Sequence, residues 1–576
     1  MDVVEVKKFV EERILELLHK ETLDTYRVRN NNAFTSLIET REIIQRCSEM
    51  KVKTFDTVKY LANETIDALL SDTCLTYSGF GKGLLISEIE EFLKKNADKL
   101  PTKVPIVGRV LFCLDKCIEE NKDVYLTKLL LMLDSMLKDC PSWSDEEMIV
   151  HLGALDEVLS ALCVQLIYEG YSKQYLYVEL KYRAGFSFDD FYKALKGLAK
   201  KKKKQFEVIW RLYIKDNPNP GLEAMGFHEN ANTDHLDESA LSKYKKKLSP
   251  GQYTYFYQNA VSALDKYAAT RLSREKLMEC FDGLHLGVYS RSLSFPDTVI
   301  IIEKRNNGWI PFTCVADYHL DGSFAEDYAL SAKLIETLDR IYNSSSIDKP
   351  AKDRIRSAIR HLNYGDLDSE IEQRFINYWI ALEFVFASPH TNENTFTRLK
   401  DYLVNILSVS YVHRNVDYLK SKMLDEGIIG AEDNPWESKD SLDSIADKKG
   451  LPLIWRYKLK KMKSRLFIHT DKLKKYYNNH ITNLERHIVR IYNLRNVLVH
   501  EGAIVQDVGN LASNLRYYLV FLLDQMIAYF ASHADDKGKE YQIDDFFNEY
   551  ISYRKIIESN FKLETLLSIP VNKELW

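Results

Sequence analysis

Apolar residues recur every three or four positions through most of this chain, a period that predicts one amphipathic helix after another. Val3, Val6, Val10, Ile14 and Leu17 mark the first stripe. Others run through Leu37–Ile44, Val58–Leu70, Leu84–Leu93, Val104–Leu114, Leu126–Leu137 and Met148–Ile167. No fixed repeat links them, so residues 1–165 read as a helical scaffold or sensor domain rather than a named solenoid. The pattern changes over 166–325. Leu176–Leu180 reads as a short strand or a helix end, Phe188–Leu198 as a helix, and the alternating Phe206–Ile214 as a strand. Thr298–Glu303, Arg305–Gly308 and Trp309–Thr313 read as a strand, a turn and another extended segment, and the acidic Asn217–Ser239 as a long loop. This is a mixed α/β linking module. Helical periods return over 326–576. The expected fold class is mainly α, with an N-terminal helical region, a small central α/β module and a C-terminal helical bundle.

Composition narrows the function classes. A chain of 576 residues with 45% hydrophobic and 28% charged residues and 13 Pro describes a packed, ordered protein of two to four domains. Its formal net charge of −5 is no nucleic-acid signature, so any RNA contact must come from a local patch. The eight cysteines are scattered, and Cys113 and Cys117 form the only close pair. With no second Cys or His cluster to complete a zinc site, they read as reduced core thiols. No clustered carboxylates or metal-spaced histidines and no Gly-x4-Gly-Lys-Ser/Thr loop occur, which argues against a metal hydrolase or an ATPase; no cofactor or metal is expected. The opening Met-Asp-Val-Val lacks a signal-peptide pattern. No run approaches the uninterrupted apolar length of a membrane span, so the expected location is cytoplasmic, without a membrane partner.

Two local patches are basic. Lys200–Lys204 precedes the Phe206 strand and reads best as a solvated helix-to-strand loop. Residues 451–500 carry twelve Lys and Arg against Asp471 and Glu485, a net +10, with Trp455, Tyr457, Phe467, Tyr476, Tyr477 and Tyr492 interleaved. Cations with flat aromatic faces suit single-stranded RNA, and Lys472, Lys474, Lys475 and Arg490 are the candidate phosphate contacts. The competing reading makes the aromatics helical core and the lysines a soluble face.

That patch ends on Arg490-Ile-Tyr-Asn-Leu-Arg495-Asn496-Val-Leu-Val-His500-Glu501-Gly502. An Arg and a His held together supply a fixed cation and a group that titrates near neutral pH, enough to cleave a phosphodiester of RNA without metal. Spacing alone is not specific, because Arg356 and His361 stand at the same separation. Context differs: Leu484, Ile488, Ile491 and Leu498 form a stripe on or beside which Arg495 lies, where an unpaired guanidinium is costly. Gly502 suits the residue just past a helix end, leaving His500 in the last turn. Asn496 could bind a phosphate or orient the histidine, or it could be a helix-end amide. Glu383 could brace Arg495 through a bidentate pair.

Arg-Asn-x-x-x-His followed by Gly, entered through Tyr-x-x-Arg-Asn, resembles the signature of HEPN ribonucleases, nearest to the Apea-like group. Phe375–Phe386, with Trp379 and Leu382-Glu383, is similar to the aromatic-rich helix that opens such domains. Phe396–Leu407 looks like the second helix, and Leu511–Phe530 like the closing one, with Asp507 or Asn510 available to cap it. Two features depart from the pattern: Tyr411–Thr470 is longer than a minimal unit needs, and Glu501 puts a carboxylate beside the histidine. The resemblance implies a HEPN-type bundle over 326–576 with Arg495, His500 and Asn496 catalytic and Glu383 supporting. It implies a homodimer or a higher even-numbered oligomer that pairs two motifs in one cleft. It further implies RNA, tRNA included, cut to 2′,3′-cyclic phosphate ends in antiphage defence, which leaves room for a phage-derived trigger or inhibitor. The alternative is a catalytically silent scaffold or nucleotide-binding sensor.

Overall fold

Val6, Val10 and Ile14, four apart, are all buried on α1 (Val3–Leu18), whose N-terminus is capped by the Asp2 carboxylate accepting from the Val4 amide. The same logic builds the rest of a mainly helical chain in this computed structural model. The structure describes residues 2–20, 31–52, 55–77, 79–95, 104–213, 219–229, 254–287, 298–305, 308–315, 320–321, 328–368, 370–387, 394–501 and 508–573. After α1 come α2 (Ala33–Ser48), α3 (Phe55–Ser71), α4 (Gly81–Lys95), α5 (Val104–Asn121), α6 (Tyr125–Asp139) and α7 (Met148–Tyr168). All eight cysteines are free and buried.

Residues 165–319 form one compact unit. It holds α8 (Lys173–Ala184), α9 (Phe188–Leu198), β1 (Lys204–Tyr213), α10 (Asn219–Ala224), β2 (His228–Glu229), β3 (Thr254–Ala263), α11 (Lys266–Gly287), β4 (Thr298–Arg305) and β5 (Gly308–Val315). The strands form an antiparallel sheet in the order β2-β3-β1-β4-β5. Phe206, Val208, Trp210 and Leu212 alternate onto one face and share a core with Ala268, Ala269 and Leu277 of α11. Two expectations need amending. Leu176–Leu180 lies inside α8, where its apolar residues serve a helical face. The segment read as a loop over 217–239 contains α10 and β2, joined by 225–227, its residues 217–218 and 230–239 being outside those described. The turn residues Asn306 and Asn307 also fall outside them. In the lysine run, Lys201 pairs with Glu169 and Lys204 with Glu303, while Lys202 and Lys203 are exposed.

The other unit joins 1–164 to 320–576, so the two helical regions share one body rather than forming separate domains. Its later helices are α12 (Tyr328–Asn343), α13 (Lys349–Leu367), α14 (Ile371–Phe386), α15 (Thr395–Val409), α16 (Tyr411–Asp425), α17 (Lys439–Ala446), α18 (Leu453–Leu466), α19 (Thr470–Asn496), α20 (Val508–His533), α21 (Ile543–Ser559) and α22 (Leu563–Ser568). α14 packs between α13 and α20; α19 packs on both α15 and α3, and α18 on α1. At the α13–α14 crossing Gly365 meets the Tyr378 ring, and Asp366 accepts from the Tyr378 hydroxyl and from both Nε and Nη2 of Arg516.

By length and composition alone α7 is apolar enough to cross a membrane, although Asp156 and Glu157 interrupt its apolar run. Its Leu152, Leu155, Leu159 and Leu162 are core residues, and its Asp156 is engaged by Arg13, Tyr457 and Lys461.

Candidate active site

The 27-residue α19 does not stop at Asn496 but widens into a π turn, Val497–Glu501. That change decides whether Arg495 and His500 can meet. On an α-helix each residue turns about 100°, so a residue five positions on points roughly 140° away. Hydrogen bonding from i to i+5 opens the turn and returns residue i+5 close to residue i. Arg495 Nη1 accordingly lies 3.0 Å from His500 Nε2. The chain carries its own control. Arg356 and His361 share the separation but sit on the regular α13, and each finds another partner: Arg356 bonds Asp353, and His361 faces Asn377 and Phe384.

A guanidinium can only donate, so in this contact His500 Nε2 is the acceptor. The same Nη1 donates to Asn496 Oδ1 at 3.3 Å, and Nη2 donates to Glu383 Oε1 at 3.4 Å. Glu383 thus touches Arg495 through one long contact rather than a bidentate fork. Arg495 keeps 21% of its side chain exposed, and His500 is exposed. A cation and an imidazole are therefore reachable from solvent with their orientations set by neighbours. Behind them, Tyr492 stacks on Phe396 with centroids 3.8 Å apart and lies 5.7 Å from the Trp379 ring. This aromatic cluster ties the motif helix to α14 and α15. Gly502 and Asp507 lie outside the described residues.

The basic track ahead of the motif is largely spoken for. Arg490 is buried, with Nε and Nη2 on the Glu39 carboxylate at 2.6 and 2.9 Å and Nη2 also on Glu64 at 2.6 Å. Burial alone would favour the neutral guanidine, but the two carboxylates outweigh it and keep Arg490 firmly charged. Its assignment as an RNA contact is therefore corrected: it is an internal ion-pair partner. Arg456 pairs with Glu5, Lys458 with Glu16, Lys461 with Asp156 and Arg486 with Asp67. Burial, the larger influence, brings the Lys461 ammonium down to about 8 although Asp156 pulls the other way. Burial would raise the Asp156 carboxyl, but Arg13 and then Lys461 reverse this and hold it at about 2. The two partners' shifts point to Arg13 as the main counter-ion, since its Nε is 2.6 Å from Asp156 while Lys461 is 3.2 Å away and repelled by Arg465.

Trp455, Tyr457, Tyr476 and Tyr477 are core residues rather than platforms. Lys472, Lys474 and Lys475 remain exposed on the first turns of α19. One residue the sequence reading passed over also reaches the turn: Arg46 of α2 bonds Glu501 and Asn493. Its only signal was Glu501, the carboxylate that departs from the motif's pattern.

Among the described residues no three His, Cys, Asp or Glu side chains converge as a metal cluster. Comparison with family models, with curated proteins and with solved structures finds no match for this chain.

Proposed function

We propose that the chain is a metal-independent endoribonuclease of HEPN type, acting through Arg495 and His500. The observation that carries this reading is the 3.0 Å contact between Arg495 and His500, made by a π turn that an equally spaced pair elsewhere lacks. π turns are frequent at functional sites. In the proposed reaction a phosphate of RNA takes the Arg495 guanidinium and frees His500 Nε2. Nε2 accepts the proton of the 2′-hydroxyl, whose oxygen attacks phosphorus as the bond to O5′ breaks. The departing oxygen receives a proton from the imidazolium form of His500 of the partner subunit, giving a 2′,3′-cyclic phosphate and a 5′-hydroxyl. Asn496 steadies the guanidinium, and Glu383 anchors its far edge.

The pairing of two chains is part of the proposal. Phe384, next to Glu383, is 43% exposed, and Tyr364 and Leu367 at the end of α13 are exposed as well. His361 stacks on Phe384 and touches Tyr364, so these rings are neighbours on one face. An apolar face beside the site supports a homodimer or higher even-numbered oligomer. A cytoplasmic antiphage effector, with RNA as substrate and a phage-derived trigger or inhibitor, is the setting this chemistry suits.

The test is cleavage of a defined RNA by purified protein in excess EDTA, with the termini identified. Cyclic phosphate ends lost in His500→Ala support the reading, and equal cleavage by that variant overturns it. The second reading, a silent scaffold, is favoured by the neutralised basic track, in which N-terminal carboxylates occupy the cations that RNA would need. It expects no cleavage under any condition and no effect of Arg495→Ala beyond stability.

A further inference from the structure

Arg46 lies in the last turn of α2, 455 positions before Glu501, and its side chain is only 15% exposed. Nη1 donates to Asn493 Oδ1 at 2.6 Å, while Nε and Nη2 donate to Glu501 Oε1 at 3.2 and 2.5 Å. Asn493 belongs to the final turn of α19, and Glu501 is the last residue of the π turn. A single guanidinium therefore grips the segment on both sides of Arg495 and His500. The backbone that carries Arg46 is itself fixed. Met50 adopts φ 57°, closing α2 so that the Lys51 amide bonds the Arg46 carbonyl at 2.9 Å.

We infer that Arg46 is a positioning residue: by bridging Asn493 and Glu501 it holds the π turn open and so keeps His500 against Arg495. A π turn gives up the closer packing of the α-helix, so it persists where the surroundings hold it. Charge-assisted bonds of this length are among the stronger ones available. If α2 shifts, the clamp loosens, the turn relaxes toward α geometry, and residue i+5 swings away from Arg495. The N-terminal region would thus regulate the site through α2 rather than by covering it. The consequence for cleavage rests on the ribonuclease reading above; the clamp itself does not.

The experiment uses the full chain with histidine imidazoles isotopically labelled, the His500 resonance being assigned from its loss in His500→Ala. Arg46→Ala removes the clamp, and Glu501→Gln weakens it without removing Arg46. The exchange Arg46→Glu with Glu501→Arg rebuilds the ion pair with its polarity reversed. The His500 resonance is expected to shift in both single variants and to return toward wild type in the exchange. The single-turnover cleavage constant should fall about ten- to a hundredfold in Arg46→Ala, the scale of a misplaced catalytic group, with RNA KM within about twofold. An unchanged His500 resonance in either single variant overturns the proposal, and if Arg46→Ala fails to fold, Glu501→Gln decides alone. If wild type cuts no RNA, the ribonuclease reading falls while the resonance still decides the clamp.

Discussion

Arg490 Nε donates to Glu39 Oε1 at 2.6 Å, joining residues 451 positions apart inside one part-buried ion cluster. With Glu64 completing the cluster, the helix that carries the candidate site is held by acids of α2 and α3. Removing those acids would leave a buried guanidinium uncompensated. Glu39→Gln with Glu64→Gln is expected to destabilise the protein by about 3–5 kcal/mol, read as a lower urea midpoint at unchanged slope. For the same reason residues 320–576 produced alone should be unfolded or aggregated, checked by circular dichroism and light scattering. A folded, monodisperse fragment would show that α1–α7 are dispensable.

Acid sensitivity follows from two buried groups. His487 is fully buried between Tyr518 and Asn514, and burial, then the charge of Arg490, bring it down to about 3. Its unfolded value is about 6.5. Between these limits the unfolded chain binds a proton that the folded one does not, so stability is full above the upper limit and falls as pH drops toward the lower. Asp156, held at about 2 against an unfolded value of about 3.9, adds a second loss below pH ~4. In His487→Gln the slope of unfolding free energy between pH 4 and 6 should drop by about one proton, about 1.4 kcal/mol per pH unit. Urea midpoints across that range decide it, and a slope equal to wild type would place the acid sensitivity elsewhere.

A third expectation concerns packing. A Cβ on Gly365 would stand 2.4 Å from Tyr378 Cε1, and the ring cannot step aside because its hydroxyl is tied to Asp366. Gly365→Ala should therefore cost about 1–3 kcal/mol despite the helix propensity it gains. A thermal melt no lower than wild type would show that α13 and α14 can spread apart.

Local pattern was enough for most helices and for β1, β4 and β5, because those elements depend on residues a few positions apart. Arg495, Asn496, His500 and Glu383 were legible as a set because three of them share one short motif and the fourth lies in the last turn of the aromatic-rich α14. What escaped was long-range. The +10 of residues 451–500 invites a polyanion only if its partners are ignored, and Glu5, Glu16, Glu39, Glu64, Asp67 and Asp156 lie hundreds of positions upstream. Nor does the spelling Val-Leu-Val between Asn496 and His500 announce a π turn. The five-residue spacing permits a contact only where surrounding structure widens the helix, as the regular path through Arg356 and His361 demonstrates.

The sharpest prediction separates chemistry from scaffolding at the π turn. His500→Ala should lower the cleavage constant about 10²- to 10⁴-fold, the usual contribution of a proton-transferring side chain, with RNA affinity and melting temperature near wild type. The imidazole is exposed, so little packing is lost. Arg495→Ala should reduce cleavage as strongly and also weaken binding, and Arg495→Lys should rescue poorly. An ammonium lacks the planar fork that now reaches Asn496, His500 and Glu383 together and that would span two phosphoryl oxygens. Asn496→Ala should fall between wild type and these variants. Arg356→Ala supplies the control: that guanidinium bonds Asp353 and lies over Tyr342, and its loss should leave cleavage unchanged. Rates from single-turnover assays in EDTA, with filter binding for affinity, give each number independently. Wild-type cleavage by purified His500→Ala would exclude the imidazole as the base and return the Arg495–His500 contact to a purely structural role.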